Sequence, residues 1–192
     1  MKIKTMNELY VEELRDLYSA ETQIILALPK VIEGVESKKL SDAIGAHLEQ
    51  TKDQLERLEA IFRDLKETPT GNKCEATEGL LREASGVFED VEKGFVRDAA
   101  IIGAAQRLEH YEISAYGTAR TFAELLGFEE HAGLLQETLE EEQATDLKLN
   151  EIASSEVNIK AIKLERKSQS GPDRNPHQPQ DLPDGIAESR SW

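Results

Sequence analysis

Cysteine and aromatic residues are scarce in this chain. Among 192 residues there is one cysteine, Cys74, and one tryptophan, and aromatic residues make up only 5%. A single cysteine excludes an internal disulfide and any zinc or iron–sulfur site built from several thiolates. No run of about 18 apolar residues occurs, which argues against a transmembrane helix. The acidic N-terminal sequence lacks the apolar segment of a signal peptide, so we expect a cytoplasmic protein without a membrane partner.

Basic residues are also in the minority. The 23 lysines and arginines face 38 aspartates and glutamates, which gives a formal net charge of −15. Nucleic-acid binding needs clustered Lys and Arg to neutralise phosphates, so this balance argues against a nucleic-acid partner. The acidity is compatible with cation binding, although most acidic surfaces only interact with water.

Proline is concentrated near the C-terminus. Four of the six prolines lie between residues 172 and 183, in a stretch that is also rich in Ser, Gln, Asp and Gly. Such a composition buries too little apolar surface to offset the entropy of ordering. The sequence therefore predicts a folded domain over residues 1–162 and a disordered tail over residues 163–192.

The first 162 residues have the periodicity of long amphipathic helices. Apolar side chains recur at spacings of three and four, which predicts helices over residues 7–36, 41–67, 95–126 and 129–155. We expect Asn7 and Ser41 to cap the first two helices, Pro29 to kink or interrupt the first, and Gly127 to follow the third.

The predicted connections indicate the topology. Short loops join the first helix to the second and the third to the fourth, whereas residues 68–94 form a long crossover with a short helix over 76–88. Short loops produce antiparallel neighbours. Two such hairpins joined by one long crossover predict an all-α, ferritin-like antiparallel four-helix bundle.

Acidic residues interrupt three of the apolar stripes near mid-helix. A buried carboxylate is costly unless it is paired or bound to a metal ion. Each acid can instead lie at the edge of its stripe and reach water. The acids in question are Glu21 on the first helix, Glu109 and Glu112 on the third, and Glu142 and Asp146 on the fourth.

The second helix is less clear from periodicity. The segment from Glu49 to Asp53 matches the segment from Glu142 to Asp146 at three of five positions, with an offset of 93 residues. This internal match predicts Glu49 and Asp53 as its inward acids. Against it, Glu49 lies about 100° around the helix from the apolar stripe. His47 also lies near the stripe, where a lone histidine is more often structural than a ligand.

Acids from four facing helices can meet at one level of such a bundle. Carboxylate ligands suit iron or manganese, and bound cations would neutralise the buried charge. The sequence therefore predicts a di-metal site, with iron favoured and manganese as the alternative. Its ligand candidates are Glu21, Glu49, Asp53, Glu109, Glu112, Glu142 and Asp146.

Four segments carry a family resemblance. DLYSAETQI, AHLEQT, AAQRLEHYEISAYGTARTFAELLG and LLQETLEEEQATDLKL resemble the YciF-like stress-protein family of the ferritin-like superfamily, over roughly residues 5–160. The third and fourth helices are also similar to those of rubrerythrin. The resemblance implies one carboxylate ligand each from the first, second and fourth helices, at Glu21, Glu49 and Glu142. It implies a pair from the third, Glu109 and Glu112, with Glu112 bridging the metals.

The chain departs from the usual ferritin-like ligand pattern. Lys52 and Thr145 stand where Glu-x-x-His motifs would place histidines on the second and fourth helices. Three functions stay open. The first is a stress-associated di-metal carboxylate protein that binds Fe(II) and oxidises it with O₂ or peroxide. The second is a non-catalytic helical stress or interaction protein, and the third is a manganese peroxide-disproportionating enzyme, which shares the fold class. A homodimer is expected in each case.

Overall fold

Every regular element of the described chain is helical. The computed structural model describes residues 2–169. In that range it contains α1 (Met6–Gly34), α2 (Lys38–Leu65), α3 (Glu75–Asp90), α4 (Phe95–Leu126), α5 (Glu129–Ile152), a π-helical turn (Ala153–Val157) and α6 (Asn158–Gln169). The predicted helical bundle is confirmed. None of the described helices combines the length and apolarity needed to cross a bilayer.

The four long helices form two hairpins. Helix α1 packs along α2, and α4 packs along α5. The hairpins meet through α1 against α4 and α2 against α5, while α3 lies across α1 and α4. Helix α3 belongs to the long crossover, so the connectivity agrees with that predicted from the loop lengths.

The helix ends are set by local capping. Thr5, and not Asn7, caps α1: its side chain accepts from the backbone N–H of Glu8, while Glu8 reaches back to the N–H of Thr5. This reciprocal pair satisfies two backbone donors and explains the earlier start. Ser37, and not Ser41, caps α2. Gly127 ends α4 with φ of 80°, as expected for a left-handed C-terminal residue.

Two features differ from the prediction. Helix α1 continues through Pro29 to Gly34, so the expectation that this proline interrupts the helix is wrong, and the alternative of a kink stays a prediction. The fourth long helix does not end near residue 155, because the π-helical turn carries it into α6 and on to Gln169. A π-helical backbone hydrogen bond joins residues that are five apart. This spacing lets Ile152 and Val157 both face the core, where they are 2% and 0% exposed.

The C-terminal boundary moves accordingly. Residues 163–169 were predicted as part of the tail, but they form the second half of α6. Their charged side chains suit a solvent-exposed helix as well as a tail, so composition did not distinguish the two states. The rest of the predicted tail, residues 170–192, lies outside the described residues.

The core consists of two apolar clusters. One surrounds Tyr10, Leu14, Phe62 and Tyr116, and the other surrounds Ile24, Ile44, Ile101 and Leu149. Along each long helix the residues between the two clusters include buried polar side chains. The bundle therefore carries a polar layer between two apolar halves.

Candidate metal centre

All four long helices contribute to the polar layer. The buried side chains are Glu21 from α1, His47, Thr51 and Gln54 from α2, Glu109 and Glu112 from α4, and Glu142 from α5, all at most 5% exposed. Each lies between apolar core residues of its own helix, as Glu21 lies between Leu17 and Ile24. The apolar stripes on both sides fix the orientation of these polar residues.

Four of these side chains converge on one point. One ligand atom from each of His47, Glu109, Glu112 and Glu142 lies within 4.8 Å of the other three. His47 Nε2 is 3.5 Å from Glu109 Oε1. The set combines an imidazole with three carboxylates, a donor combination that suits Fe(II) or Mn(II).

Glu21 lies beside this group of four. Its charge acts on both Glu109 and Glu112, and its Oε1 accepts a hydrogen bond from the Tyr116 hydroxyl. Gln54 Nε2 donates to Glu142 Oε1. Tyrosine and glutamine thus each hold one carboxylate oxygen and leave the other oxygen free to bind a cation.

Burial dominates the electrostatics of the site. It raises the pKa of Glu21, Glu109 and Glu112 well above the ordinary value for glutamate, and the charges of neighbouring acids raise these pKa values further. Burial also lowers the pKa of His47, which the charges of Glu142 and Glu141 partly offset. In the metal-free protein Glu21, Glu109, Glu112 and His47 therefore favour their neutral forms.

Many polar atoms of the layer have no hydrogen-bond partner. Among the described residues, nine buried side-chain atoms lack a partner, and seven of them belong to this layer: Glu21 Oε2, His47 Nδ1, His47 Nε2, Gln54 Oε1, Glu109 Oε2, Glu112 Oε2 and Glu142 Oε2. Buried polar groups are normally satisfied, and leaving one unsatisfied costs about 1–3 kcal/mol. A cation bound among these atoms would satisfy several of them at once, so the residues fit a metal ion.

The structure does not bring Glu49 and Asp53 into the site. Both side chains are exposed, and Glu49 pairs with Lys52 at 2.7 Å. The inward face of α2 instead carries His47, Thr51 and Gln54, which follow one another at spacings of four and three. Glu49 lies about 100° around α2 from the apolar stripe and therefore faces solvent. The prediction that Glu49 and Asp53 point into the bundle is wrong.

Asp146 lies at the margin of the site. Its Oδ1 accepts from Gln106 Nε2 at 2.9 Å and is 3.5 Å from His110 Nε2. Its charge raises the pKa of Glu109, although less than burial and Glu142 do. Asp146 therefore influences the cluster electrostatically, but it is not among the convergent groups.

An ion pair between α2 and α5 supports the layer from outside. Arg57 binds Glu141 through two nitrogens, at 2.6 and 2.8 Å, and also donates to Thr138. Burial raises the pKa of Glu141, but the hydrogen bonds from Arg57 and Gln54 more than compensate and leave this pKa below its ordinary value. Because Gln54 donates to both Glu141 and Glu142, this pair is connected to the cluster.

His47 and Gln54 were not among the predicted ligands. An isolated histidine or glutamine is a weak signal for a site, but the spacing of α2 does indicate them. Residues 47, 51 and 54 lie on the same face of α2 as the apolar residues Ile44 and Leu58, which precede and follow them.

The chain is similar to several known proteins. The model of the family described as a domain of unknown function, DUF892, matches residues 5–162. Protein YciF of Escherichia coli (strain K12) is 48% identical over 162 residues, which cover 84% of this chain and 98% of YciF. The crystal structure of the E. coli stress protein YciF matches 81% of this chain and 99% of its own chain, with a TM-score of 0.78.

Two further solved structures extend the comparison. YcfI of Rhodopseudomonas palustris, described as a proposed structural protein, is 44% identical over 78% of this chain and 95% of its own, with a TM-score of 0.75. A Xanthomonas campestris protein, XCC3681, is 19% identical over 85% of this chain and 99% of its own, with a TM-score of 0.67, and shares the fold. The chain belongs to the DUF892 family of YciF-like proteins.

Proposed function

We propose that the polar layer binds two metal ions, iron in preference to manganese, and that the protein oxidises Fe(II) with peroxide or O₂. The observation that carries this proposal is the convergence of His47, Glu109, Glu112 and Glu142, together with unpartnered buried atoms on all four. A purely structural layer would be expected to pair these atoms with each other.

The residues of the layer divide between the two ions. His47 and Glu109 would hold one ion, Glu21 would hold the other, and Glu112 and Glu142 could contact both. Two Fe(II) ions held there would supply one electron each, which together with two protons would reduce one hydrogen peroxide molecule to two waters. A similar arrangement of carboxylates from facing helices occurs in di-iron bundles generally.

The surrounding side chains prepare the ligands. Tyr116 donates to Glu21 and Gln54 donates to Glu142, so each carboxylate has one fixed and one free oxygen. Preorganised ligands reduce the free energy spent on ordering when a cation binds. The two apolar clusters keep bulk water away from the layer, which strengthens charge interactions within it.

A relative supports a role in stress. The E. coli relative with 48% identity is described as a stress protein. Removal of Fe(II) and peroxide together would limit oxidative damage during stress, which agrees with the chemistry proposed here.

Metal retention tests the proposal directly. Wild-type protein is incubated anaerobically with Fe(II), desalted and assayed for iron, alongside Glu109→Gln/Glu142→Gln and the surface control Glu49→Gln/Asp53→Asn. We expect about two irons per chain in wild type and control, and loss of iron in the site variant. A wild-type protein that retains no iron or manganese would refute the proposal, as would equal loss in the control.

A second candidate is a structural protein without a functional metal. YcfI, which is 44% identical, is described as a proposed structural protein. The raised pKa values of the three buried glutamates would allow neutral carboxyl groups in a metal-free core. If Glu21→Gln plus Glu142→Gln raises the melting temperature equally with and without metal, this alternative is favoured.

We also propose that the chain forms a homodimer. Helix α6 presents Ile159 and Ile162, one turn apart and 44% and 50% exposed. Adjacent exposed apolar side chains are typical of contact surfaces. Sedimentation velocity should give a dimer for wild type and a monomer for Ile162→Glu, whereas an unchanged dimer in this variant would place the contact elsewhere.

A further inference from the structure

A cavity of about 270 Å³ lies next to the polar layer, in the half of the bundle that contains Ile24 and Leu149. It touches all five helices from α1 to α5, and apolar side chains form most of its wall. They include Leu28, Ile44, Leu80, Phe88, Ile101 and Leu108. The cavity is partly open to solvent, and a concave, mostly apolar surface of this kind is typical of a binding site.

Helix α3 leaves this volume open. Its apolar residues Leu80, Leu81, Ala84 and Phe88 all line the cavity, and each is only half-buried. Thr77 is the one fully buried residue of the helix. Small side chains on the opposite walls, such as Ala105, do not fill the gap. The apolar face of α3 would gain contacts if a ligand occupied the cavity.

One part of the wall is polar and belongs to the metal centre. His47 and Glu109 both line the cavity. Both His47 nitrogens and Glu109 Oε2 are buried without hydrogen-bond partners. A ligand in the cavity could therefore place a hydroxyl group against these atoms while its apolar body rests against the remaining wall.

The charge of the wall selects against anions. Lys148 is the one cation among the lining residues that the structure describes, and it is held by Glu151 at 2.8 Å. A carboxylate or phosphate at the polar end of the cavity would lose its hydration without a free cation among the described lining residues to offset its charge, whereas an uncharged molecule would not carry this cost.

We propose that the cavity binds an uncharged, largely apolar molecule of about the size of two fused rings, with a hydroxyl group directed at His47 and Glu109. The size follows from volume, since a dry apolar cavity of about 150 Å³ holds one benzene molecule. A role of the cavity as a co-substrate site beside the metals rests on the proposed function. Binding of the molecule itself does not depend on that function, because no metal contact is needed to hold its apolar body.

2-Naphthol is the probe for this proposal, and naphthalene-2-carboxylate is its charged counterpart with the same ring system. Binding of each is measured by calorimetry on chelator-treated full-length protein at pH 7. We expect 2-naphthol to bind and the carboxylate to bind at least roughly tenfold more weakly. Equal affinity for the two molecules, or no binding of 2-naphthol, would overturn the proposal.

Variants locate the binding site. Ala105→Phe fills the cavity from α4, and Ala46→Phe obstructs it from an exposed position on α2 that should not affect folding. Ala76→Phe introduces the same side chain at an exposed position of α3 outside the cavity. Loss of roughly tenfold or more in affinity is expected for the first two and no loss for the third. Wild-type affinity in Ala46→Phe and in any folded Ala105→Phe would refute the assignment.

The two proposals fail separately. Iron retention and 2-naphthol binding are measured on the same preparations. A protein that binds 2-naphthol but retains no metal loses the proposed function and keeps the cavity as a binding site. A protein that retains iron but does not bind 2-naphthol keeps the metal centre and loses this inference.

Discussion

Glu21 shows the free-energy cost of one buried carboxyl group. The side chain is fully buried, burial raises its pKa well above the ordinary value, and only one of its two oxygens has a hydrogen-bond partner. Glu109, on the opposite hairpin, is also buried, has a raised pKa and has one oxygen without a hydrogen-bond partner. Replacing a buried charge by a neutral group of equal size commonly raises stability, unless a bound partner compensates the charge.

The first prediction concerns these two residues. Glu21→Gln/Glu109→Gln should raise the free energy of unfolding of the metal-free protein by about 1–3 kcal/mol and lower the stabilisation that Fe(II) or Mn(II) adds. Urea denaturation with chelator and with excess metal measures both effects. Glu49→Gln/Asp53→Asn, which changes two exposed acids, should alter neither.

The second prediction concerns pH. A carboxyl group whose pKa is raised on folding contributes stability below its ordinary pKa of 4.5, and this contribution is lost as pH rises through the folded pKa. The lowered pKa of His47 acts oppositely, with stability lost as pH falls below 6.5. The carboxyl contribution is isolated by comparing wild type with Glu21→Gln/Glu109→Gln, because both proteins keep His47. As pH rises above 4.5, the metal-free wild type should lose stability relative to this variant in urea titrations.

The second helix shows why its inward residues were harder to predict. Three pairs of buried residues share an offset of 91 between the two hairpins. They are Glu21 with Glu112, His47 with Thr138, and Thr51 with Glu142. The correct internal offset is therefore 91, and the five-residue match at 93 was a coincidence. That error of two residues rotates a helix by about 200° and moves a position from core to solvent. The burial of Glu21, Glu109, Glu112 and Glu142 was predictable because each shares a helix face with apolar residues on neighbouring turns.

At the level of elements, one carboxylate connects the two hairpins. Asp98, at the start of α4, is fully buried and accepts from the backbone N–H groups of Glu36 at 2.9 Å and Ser37 at 2.7 Å. These donors lie at the N-terminus of α2, where a negative charge is favourable. Asp98 therefore holds the α1–α2 turn against the second hairpin.

The third prediction follows from this contact. Asp98→Ala should destabilise the protein by about 2–4 kcal/mol, because it leaves the buried N–H of Ser37 and the partly buried N–H of Glu36 without their acceptor. Asp42→Ala removes an exposed aspartate of α2 that pairs with Lys38 and should change stability by less than about 0.5 kcal/mol. Comparable urea midpoints for the two variants would contradict this assignment.

The fourth prediction uses two glycines. A Cβ on Gly34, the last residue of α1, would lie 2.2 Å from Phe88 Cε1 on α3, whereas a Cβ on Gly45 in α2 would meet nothing within 4 Å. Gly34→Ala should therefore displace α3 and cost about 1–3 kcal/mol. Gly45→Ala should stabilise the protein by about 0.5–1 kcal/mol through helix propensity. Thermal unfolding should therefore show a lower melting temperature for Gly34→Ala and a higher one for Gly45→Ala.

Elements with clear stop signals were predicted best. Helix α4 begins and ends at the predicted residues, between Gly94 and Gly127. The end of α5 was not predictable, because no glycine or proline marks it and the π-helical turn keeps the apolar face aligned without a visible break in sequence.

At the scale of the whole molecule, the ligand atoms are divided unequally between the hairpins. Three of the four convergent side chains, Glu109, Glu112 and Glu142, belong to the α4–α5 hairpin, and His47 belongs to the α1–α2 hairpin. A metal ion held by all four would link segments separated by the entire crossover. Such a link shortens the effective loop between the hairpins in every partly open state.

A bound metal ion would therefore change cooperativity. Without metal, the hairpins are joined by the two apolar clusters, each of which contains residues of both hairpins, but the polar layer between these clusters is poorly satisfied and contributes little to the contact. An ion bound in the layer would add a direct link between the hairpins and favour their opening together. Amide hydrogen exchange should therefore show different protection for α1–α2 and α4–α5 in the chelated protein and a common value in the iron-loaded protein. In this fold the ion would determine whether one chain unfolds in one step or in two.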